Sequence, residues 1–336
     1  MDLKKILSCN KCSSKNINHV DEDFLLCNSC NNKIKKTNHI YRFVESTLHD
    51  NFGFQWNKFS KVQLDSRNGS DESEKRLLFQ SKLNPNDFKD KLILEAGCGN
   101  GRFTEIFLKY GAKVVAFDYS SAVEANMRNH KEHIKNGNLL LLQADVFNMP
   151  FKKNNFDYVF CYGVIQHTGD NEKCIAELSK FPKVKGGMLF MDIYSNSLKH
   201  YNPWIYFIMF IYRITNTPHM NRWNHVKSFV KKVYPLQIKI LTYLHNRKGI
   251  KKYLKYIINR SPNSVYGINL YLDGKIDLKT AYDWSYMETF DAWAPSYDHP
   301  VSLSQWERLL SALNDKYKIL HIGESGQGNI ASLEHI

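Results

Sequence analysis

The sequence predicts an α/β fold built on a parallel, doubly wound sheet, and three observations predict it. Short apolar runs alternate with helix-spaced apolar stripes through residues 91–196. A glycine-rich turn joins the first of those runs to the first stripe. Three of the runs end in, or just before, an acidic residue: Glu95, Asp118 and Asp145. The chain has 336 residues, 43% of them hydrophobic, which is ample for a packed core and excludes wholesale disorder.

The first strand is expected at Leu92-Ile-Leu-Glu-Ala96, followed by Gly97-Cys98-Gly99-Asn100-Gly101. Phe103, Ile106, Phe107 and Leu108 then mark a helix. Glycines in such a turn let the backbone approach a ligand at the helix start. A dinucleotide fingerprint, G-x-G-x-x-G, needs glycine at 102, and Arg102 stands there. The second strand is Lys113-Val-Val-Ala-Phe-Asp118, ending 17 residues after Gly101, where a carboxylate is placed for ribose hydroxyls. The third is Leu139-Leu-Leu-Leu-Gln-Ala-Asp145. The fourth is Phe156-Asp-Tyr-Val-Phe-Cys-Tyr-Gly163, followed by Val164-Ile-Gln-His167, and the fifth lies in Lys185-Gly-Gly-Met-Leu-Phe-Met-Asp192.

Cys9-x-x-Cys12 and Cys27-x-x-Cys30 stand 14 residues apart. Two such pairs at this spacing read as a four-thiolate zinc site. Four thiolates close a tetrahedron and leave no place for water, so this zinc is expected to be structural. The remaining cysteines, Cys98, Cys161 and Cys174, are scattered, and seven in all do not make a disulfide framework. The first ten residues carry only Ile6 and Leu7 as an apolar stretch, too short for a secretory leader, so the expected location is cytoplasmic.

The net charge of +13 is uneven. Residues 197–276 hold 14 Lys and Arg against the single acid Asp273, whereas 277–336 are net −5. The basic segment opens on an aromatic run from Tyr201 to Arg213, and its Val226, Phe229, Val230 and Val233 keep helical spacing with Lys227, Lys231 and Lys232 between them. That composition suits a lid, a surface for an anionic membrane or phosphate group, or simply a helical insertion with a solvated lysine face. Polar stretches at 65–75 and 259–264 are the expected loops.

Glu95-x-Gly97-x-Gly99-x-Gly101, with Asp118, Asp145 and Gln166-His167 in register behind it, resembles the motif set of class I S-adenosylmethionine (SAM)-dependent methyltransferases. The resemblance is strong over 91–195 and implies a Rossmann-like, seven-stranded sheet. It implies Glu95, Gly97, Gly99, Gly101, Asp118, Asp145 and Gln166 as cofactor residues, with Asp145 at the adenine amino group. The cysteine pairs are similar to the zinc ribbons that precede the catalytic domain in many bacterial methyltransferases. Phe52-Gly-Phe-Gln-Trp56 and Thr289–Pro300 resemble segments of that narrower, surface-polysaccharide and small-molecule group, with Trp56 as a further cofactor contact. The expected organisation is a ribbon over 1–45, a helical segment over 46–90, the SAM-binding core over 91–196, a basic insertion over 197–276 and a sheet-completing end over 277–336.

Methyl transfer from SAM mainly needs the acceptor positioned, and a hydroxyl acceptor gains from a general base. His167 is placed beside the methyl donor by the resemblance, and His299, oriented by Asp298 or Asp291, is the other candidate. Each also suits a packing role. No N-P-P-Y or D-P-P-Y element follows the fourth strand, which disfavours methylation of exocyclic base amines. The expected reaction is O-methylation of a small or lipid-linked acceptor, a sugar or metabolite hydroxyl. The alternative is a ribosomal or transfer RNA methyltransferase that grips RNA with the ribbon and the basic segment. A non-enzymatic SAM-binding adaptor is the third reading.

Overall fold

The structure, a computed structural model, describes residues 1–44, 51–197, 202–245, 257–295, 297–326 and 328–336. Tyr201, at the head of the aromatic run, and residues 246–256 of the basic segment lie outside the described residues. The chain divides into two compact units. One comprises Met1–Asn57, Ser73–His200 and Tyr297–Ile336; the other comprises Lys58–Glu72 and Tyr201–Ser296.

The first unit is organised by one sheet. Its strands are β1 (Ile17–His19), β2 (Phe24–Cys27), β3 (Lys33–Thr37), β4 (Ile40–Arg42), β5 (Leu92–Ala96), β6 (Lys113–Asp118), β7 (Leu139–Gln143), β8 (Tyr158–Cys161), β9 (Met188–Tyr194), β10 (Tyr317–Ser325) and β11 (Gly328–His335). Their order is β1-β2-β3-β4-β7-β6-β5-β8-β9-β11-β10. From β7 to β9 the strands are parallel, and every residue of β7 and β8 is buried. This is the near-continuous apolar pattern of strands covered on both faces. β11 runs antiparallel between β9 and β10 and closes that end.

The sheet therefore has eleven strands among the described residues, not the seven expected. The four extra strands come from the cysteine-rich region. β4 pairs in parallel with β7, matching Ile40 to Leu141 and Arg42 to Gln143. An exposed edge on β7 would offer unpaired N–H and C=O groups, and β4 covers it.

The chain order reverses between β5 and β8, which flank one another while β6 lies on the other side of β5. Ligands of open α/β sheets bind outside the carboxyl ends of the strands at such a switch point. Beneath it, Asp192 of β9 is buried, and its carboxylate accepts from Arg76 Nη2 at 2.8 Å and from the Gly163 N–H. Arg76 sits on the helix Glu72–Ser81 and also lies over the Phe103 ring at 5.7 Å.

The second unit is helical. Leu278–Trp293 belongs to it, while the sheet is completed only by the helix Leu303–Ser311 and the two strands that follow. Trp284, Met287, Phe290 and Trp293 of that helix are buried, which explains why it packs among helices. Tyr234 of His219–His245 donates its hydroxyl to the Ala281 carbonyl at 2.6 Å. Val226, Val230 and Tyr234 are buried, whereas Lys227, Lys231, Lys232 and Lys239 are exposed. Within the expected loop at 65–75, Asp65–Asn68 makes one helical turn, closed by Gly69 at φ 78°. No described helix is long and apolar enough to cross a membrane.

Removing Arg76 leaves the Asp192 carboxylate buried without its cation. We expect Arg76→Ala to destabilise the protein by about 3 kcal/mol in urea unfolding; an unchanged midpoint and slope would show that the pair is dispensable.

Candidate active site

The turn after β5 is shaped by its glycines. Gly97, Gly99 and Gly101 have φ of 72°, 52° and 90°, in the left-handed region that side chains disfavour. A Cβ on Gly97 would stand 2.2 Å from Val164 Cγ2, and one on Gly101 would stand 2.5 Å from His130 Cε1. Gly99 is less enclosed: its Cβ would lie 3.4 Å from Nε1 of Trp56, so the half-buried indole sits against the turn. The turn leads into the helix Arg102–Lys109.

Asp118, at the end of β6, holds this turn. Its carboxylate accepts from the Gly99 N–H at 2.9 Å, and from the Ser120 N–H at 2.9 Å and hydroxyl at 2.6 Å. Asp145, two residues past the end of β7, is half-buried and accepts from the Phe147 N–H at 2.8 Å. Two carboxylates thus stand at the ends of neighbouring strands, beside a backbone turn open to close approach. This arrangement fits the ribose, adenine and methionyl parts of SAM.

Glu95 does something else. Its carboxyl is buried and accepts from the Thr104 hydroxyl; Thr104 in turn accepts from Asn126 Nδ2 at 2.9 Å, and Asn126 Oδ1 lies 2.9 Å from His130 Nδ1. The chain ties β5, the helix after the turn and the helix Val123–Asn129 together. Glu95 therefore braces the turn from behind. Burial pushes its carboxyl up to about 8.

After β8 the chain makes the short turn Ile165–His167. Gln166 is fully buried, and neither its amide nitrogen nor its amide oxygen has a hydrogen-bond partner among the described residues. Such a group is costly unless something completes it, and at this end of the sheet a ligand fits that need. His167 is enclosed by the Phe52 ring at 5.2 Å and the Tyr194 ring at 5.5 Å. Its Nδ1 lies 3.0 Å from the Tyr297 carbonyl oxygen. A carbonyl only accepts, so Nδ1 carries the hydrogen and Nε2 is the basic nitrogen. Asp298 Oδ1 stands 4.0 Å from the same Nδ1.

Asp298 thus accompanies His167 rather than orienting His299. The His299 ring is exposed and stacks on Tyr297 at 6.1 Å; its backbone N–H donates to the Gln166 carbonyl at 2.9 Å. Asp291 lies in the helical unit. His167 and Asp298, from segments 131 residues apart, come together, and His299 serves through its backbone.

Cys9, Cys12, Cys27 and Cys30 converge, with all four Sγ atoms within 4.8 Å of one another. Cys9 and Cys30 are 3.6 Å apart and Cys12 and Cys27 are 3.5 Å apart. A tetrahedral site with Zn–S bonds of about 2.3 Å has S–S edges of about 3.8 Å, so these thiols fit zinc. The two knuckles repeat one another. The N–H of Ser13 donates to Cys9 O and that of Asn31 to Cys27 O, both at 2.8 Å, and Ser13 and Asn31 are both left-handed.

Two connections were not legible in the motifs. Arg42 of β4 ion-pairs with Glu124 and donates to Gln143 Oε1 at 2.8 Å, and Gln143 Nε2 donates to the Tyr119 carbonyl at 3.1 Å. The cysteine-rich region thereby reaches the residue after Asp118. The Arg76–Asp192 pair is the other, and an acid inside the apolar run of the fifth strand was its one sequence signal, because a buried charge needs a partner.

A protein family described as a methyltransferase domain matches residues 94–190, the stretch that holds this turn and both carboxylates. The match covers under a third of the chain. Curated relatives match about a third of the chain. A ubiquinone biosynthesis O-methyltransferase of Coxiella burnetii is 28% identical over 113 residues, 34% of this chain and 47% of its own length. A tRNA U34 carboxymethyltransferase of Campylobacter curvus is 32% identical over 105 residues, 30% of this chain and 34% of its own. The chain thus spans less than half the length of these relatives. Among solved structures, a putative SAM-dependent methyltransferase of Methanococcus maripaludis aligns at TM-score 0.44 and 12% identity, over 87% of this chain and 95% of that one.

The raised Glu95 carboxyl has a consequence for stability. Above the ordinary carboxyl range the folded protein retains a proton that the unfolded chain releases, so stability falls as pH rises from about 4.5 to about 8. We expect Glu95→Gln to remove up to about 1.4 kcal/mol per pH unit of that slope in urea unfolding between these limits. Parallel slopes for the two proteins would contradict the assignment.

Proposed function

We propose that this chain is a SAM-dependent methyltransferase whose acceptor is a hydroxyl on a small or lipid-linked molecule, a sugar or metabolite, with His167 as general base. The observation that carries the reading is the fixed tautomer of His167 at the carboxyl end of β8. SAM, when bound, supplies a methyl group on a sulfonium centre. Asp118 would hold the ribose hydroxyls, Asp145 the adenine edge, and the glycine turn would admit the methionyl part. Gln166, buried and unpartnered among the described residues, would meet a polar group of the ligand.

His167 Nε2 would take the proton of the acceptor's hydroxyl as that oxygen accepts the methyl group SAM would supply, and Asp298 and the Tyr297 carbonyl would stabilise the resulting imidazolium. Phe52 and Tyr194 flank the imidazole and limit water around it. The O-methylating relative from Coxiella burnetii is in keeping with this reading. We expect His167→Ala to lower kcat by about 10²–10⁴-fold with affinity for S-adenosylhomocysteine retained; a kcat within a few-fold of wild type would remove His167 from the chemistry.

A second reading, an RNA acceptor, is favoured by the 14 basic residues in 197–276 and by the tRNA-modifying relative. Methyl-labelled SAM incubated with the protein and extract from cells lacking its gene distinguishes the two. Label in lipid or small-molecule fractions supports a hydroxyl acceptor of that kind. Nuclease-sensitive label, formed in a strongly salt-dependent manner, supports RNA.

We also propose that Cys9, Cys12, Cys27 and Cys30 bind a structural zinc, supported by their spacing and the separations of their sulfurs. Stoichiometric zinc in the purified protein, and its loss with a lowered melting temperature in Cys27→Ser, are expected. A zinc-free protein that melts identically with and without added zinc would contradict this.

A further inference from the structure

The helical unit carries an exposed apolar surface. The helix Pro203–Ile214 turns Met209 and Tyr212 inward, where Tyr212 meets His225 Nδ1 at 3.1 Å and the Trp293 ring at 6.5 Å. Its opposite face presents Trp204, Phe207, Phe210 and Ile214, each 57–62% exposed. Spacings of three, three and four residues put them on one side of the helix. Scattered exposed apolar residues need no explanation, but four large ones aligned on a twelve-residue helix do.

This helix is not a frayed end. Asn202 caps its start: its side-chain oxygen accepts from the Trp204 N–H at 3.1 Å, and its Nδ2 donates to the Ser261 carbonyl at 2.9 Å. Pro203 follows at the first helical position. At the other end, Thr217 N donates to the Tyr212 carbonyl at 3.1 Å and Arg222 Nε donates to the Thr217 carbonyl at 2.8 Å. The stripe is therefore held in place while facing solvent. A second, shorter stripe, Leu236, Ile240 and Tyr243, lies on His219–His245, with exposed Lys232 and Lys239 nearby in sequence.

Charge says what such a surface meets. Residues 197–276 carry 14 cations and a single acid, Asp273, and that acid lies 3.8 Å from His245. A helix with aromatic and aliphatic residues on one face, within a strongly cationic stretch of sequence, has the make-up of an element that lies in the plane of an anionic bilayer. The helix is too short to span one.

We propose that the helix Pro203–Ile214 docks this protein on an anionic membrane surface. Trp204, Phe207, Phe210 and Ile214 enter the boundary between headgroups and acyl chains, while Arg213 and the lysines of His219–His245 engage the headgroups. The assignment stands whatever acceptor is methylated.

The test is co-sedimentation of the full chain with vesicles of phosphatidylcholine alone or mixed with phosphatidylglycerol. We expect binding to the mixed vesicles, weakened by salt, with a blue shift in tryptophan fluorescence that Trp204→Ser reduces. The double substitution Phe207→Ser/Phe210→Ser should weaken partitioning at least about tenfold with the melting temperature unchanged, since both side chains are exposed. Lys231→Glu/Lys232→Glu should weaken it without touching the stripe. Equal binding to neutral and anionic vesicles would overturn the proposal, as would a folded Phe207→Ser/Phe210→Ser protein that binds like wild type. Two further results would reassign the stripe: a wild-type dimer that this double substitution turns into a monomer, or tight binding to poly(A) lost with the same substitution while vesicles are ignored.

Discussion

Two positions in the turn after β5 leave no room for a side chain, and the site is arranged around that restriction. Gly97 lies against Val164, three residues past the end of the neighbouring β8, and Gly101 lies against His130 and Asn126. The turn can pack this closely only if the groups behind it are fixed. The buried run from Glu95 through Thr104 and Asn126 to His130 fixes them. In front of the turn, Asp118 accepts from the Gly99 N–H, so the same few residues shape the cofactor surface and brace it. The Glu95 carboxyl is held high in pKa because it is buried for bracing.

The cysteine-rich region is joined to this site through the sheet. β4 covers the β7 edge, and Arg42 then links Glu124 and Gln143, which in turn holds the carbonyl of Tyr119 next to Asp118. A region whose own core is small is stabilised by strand pairing to the larger sheet. On the other side of β5, Asp192 joins the Gly163 backbone to Arg76, so the turn before His167 is held by a buried carboxylate and its partly exposed cation.

Much of this was legible in the sequence because local signals and tertiary demands coincide. The apolar runs at 114–117 and 139–142 read as buried parallel strands, and they are. The left-handed turn required glycine, so the turn announced itself. Residues that act through distant partners were harder to read. Nothing near Arg76 or Arg42 in the chain marks a partner more than a hundred residues away. Asp298 sits beside His299 in sequence and invites a local pairing, yet the backbone bond from His299 to Gln166 brings Asp298 to His167 instead. The extra strands escaped notice because the edge they cover belongs to a strand about a hundred residues downstream.

The central claim is that Asp118 and the glycine turn form a SAM site. The most direct measurement is calorimetric titration of S-adenosylhomocysteine into the purified protein and into its Asp118→Ala variant. One binding event per chain, weakened about 10–100-fold in the variant by loss of charge-assisted hydrogen bonds, is the predicted result. An absence of binding to the folded wild-type protein, or equal affinity in the two proteins, would contradict the account.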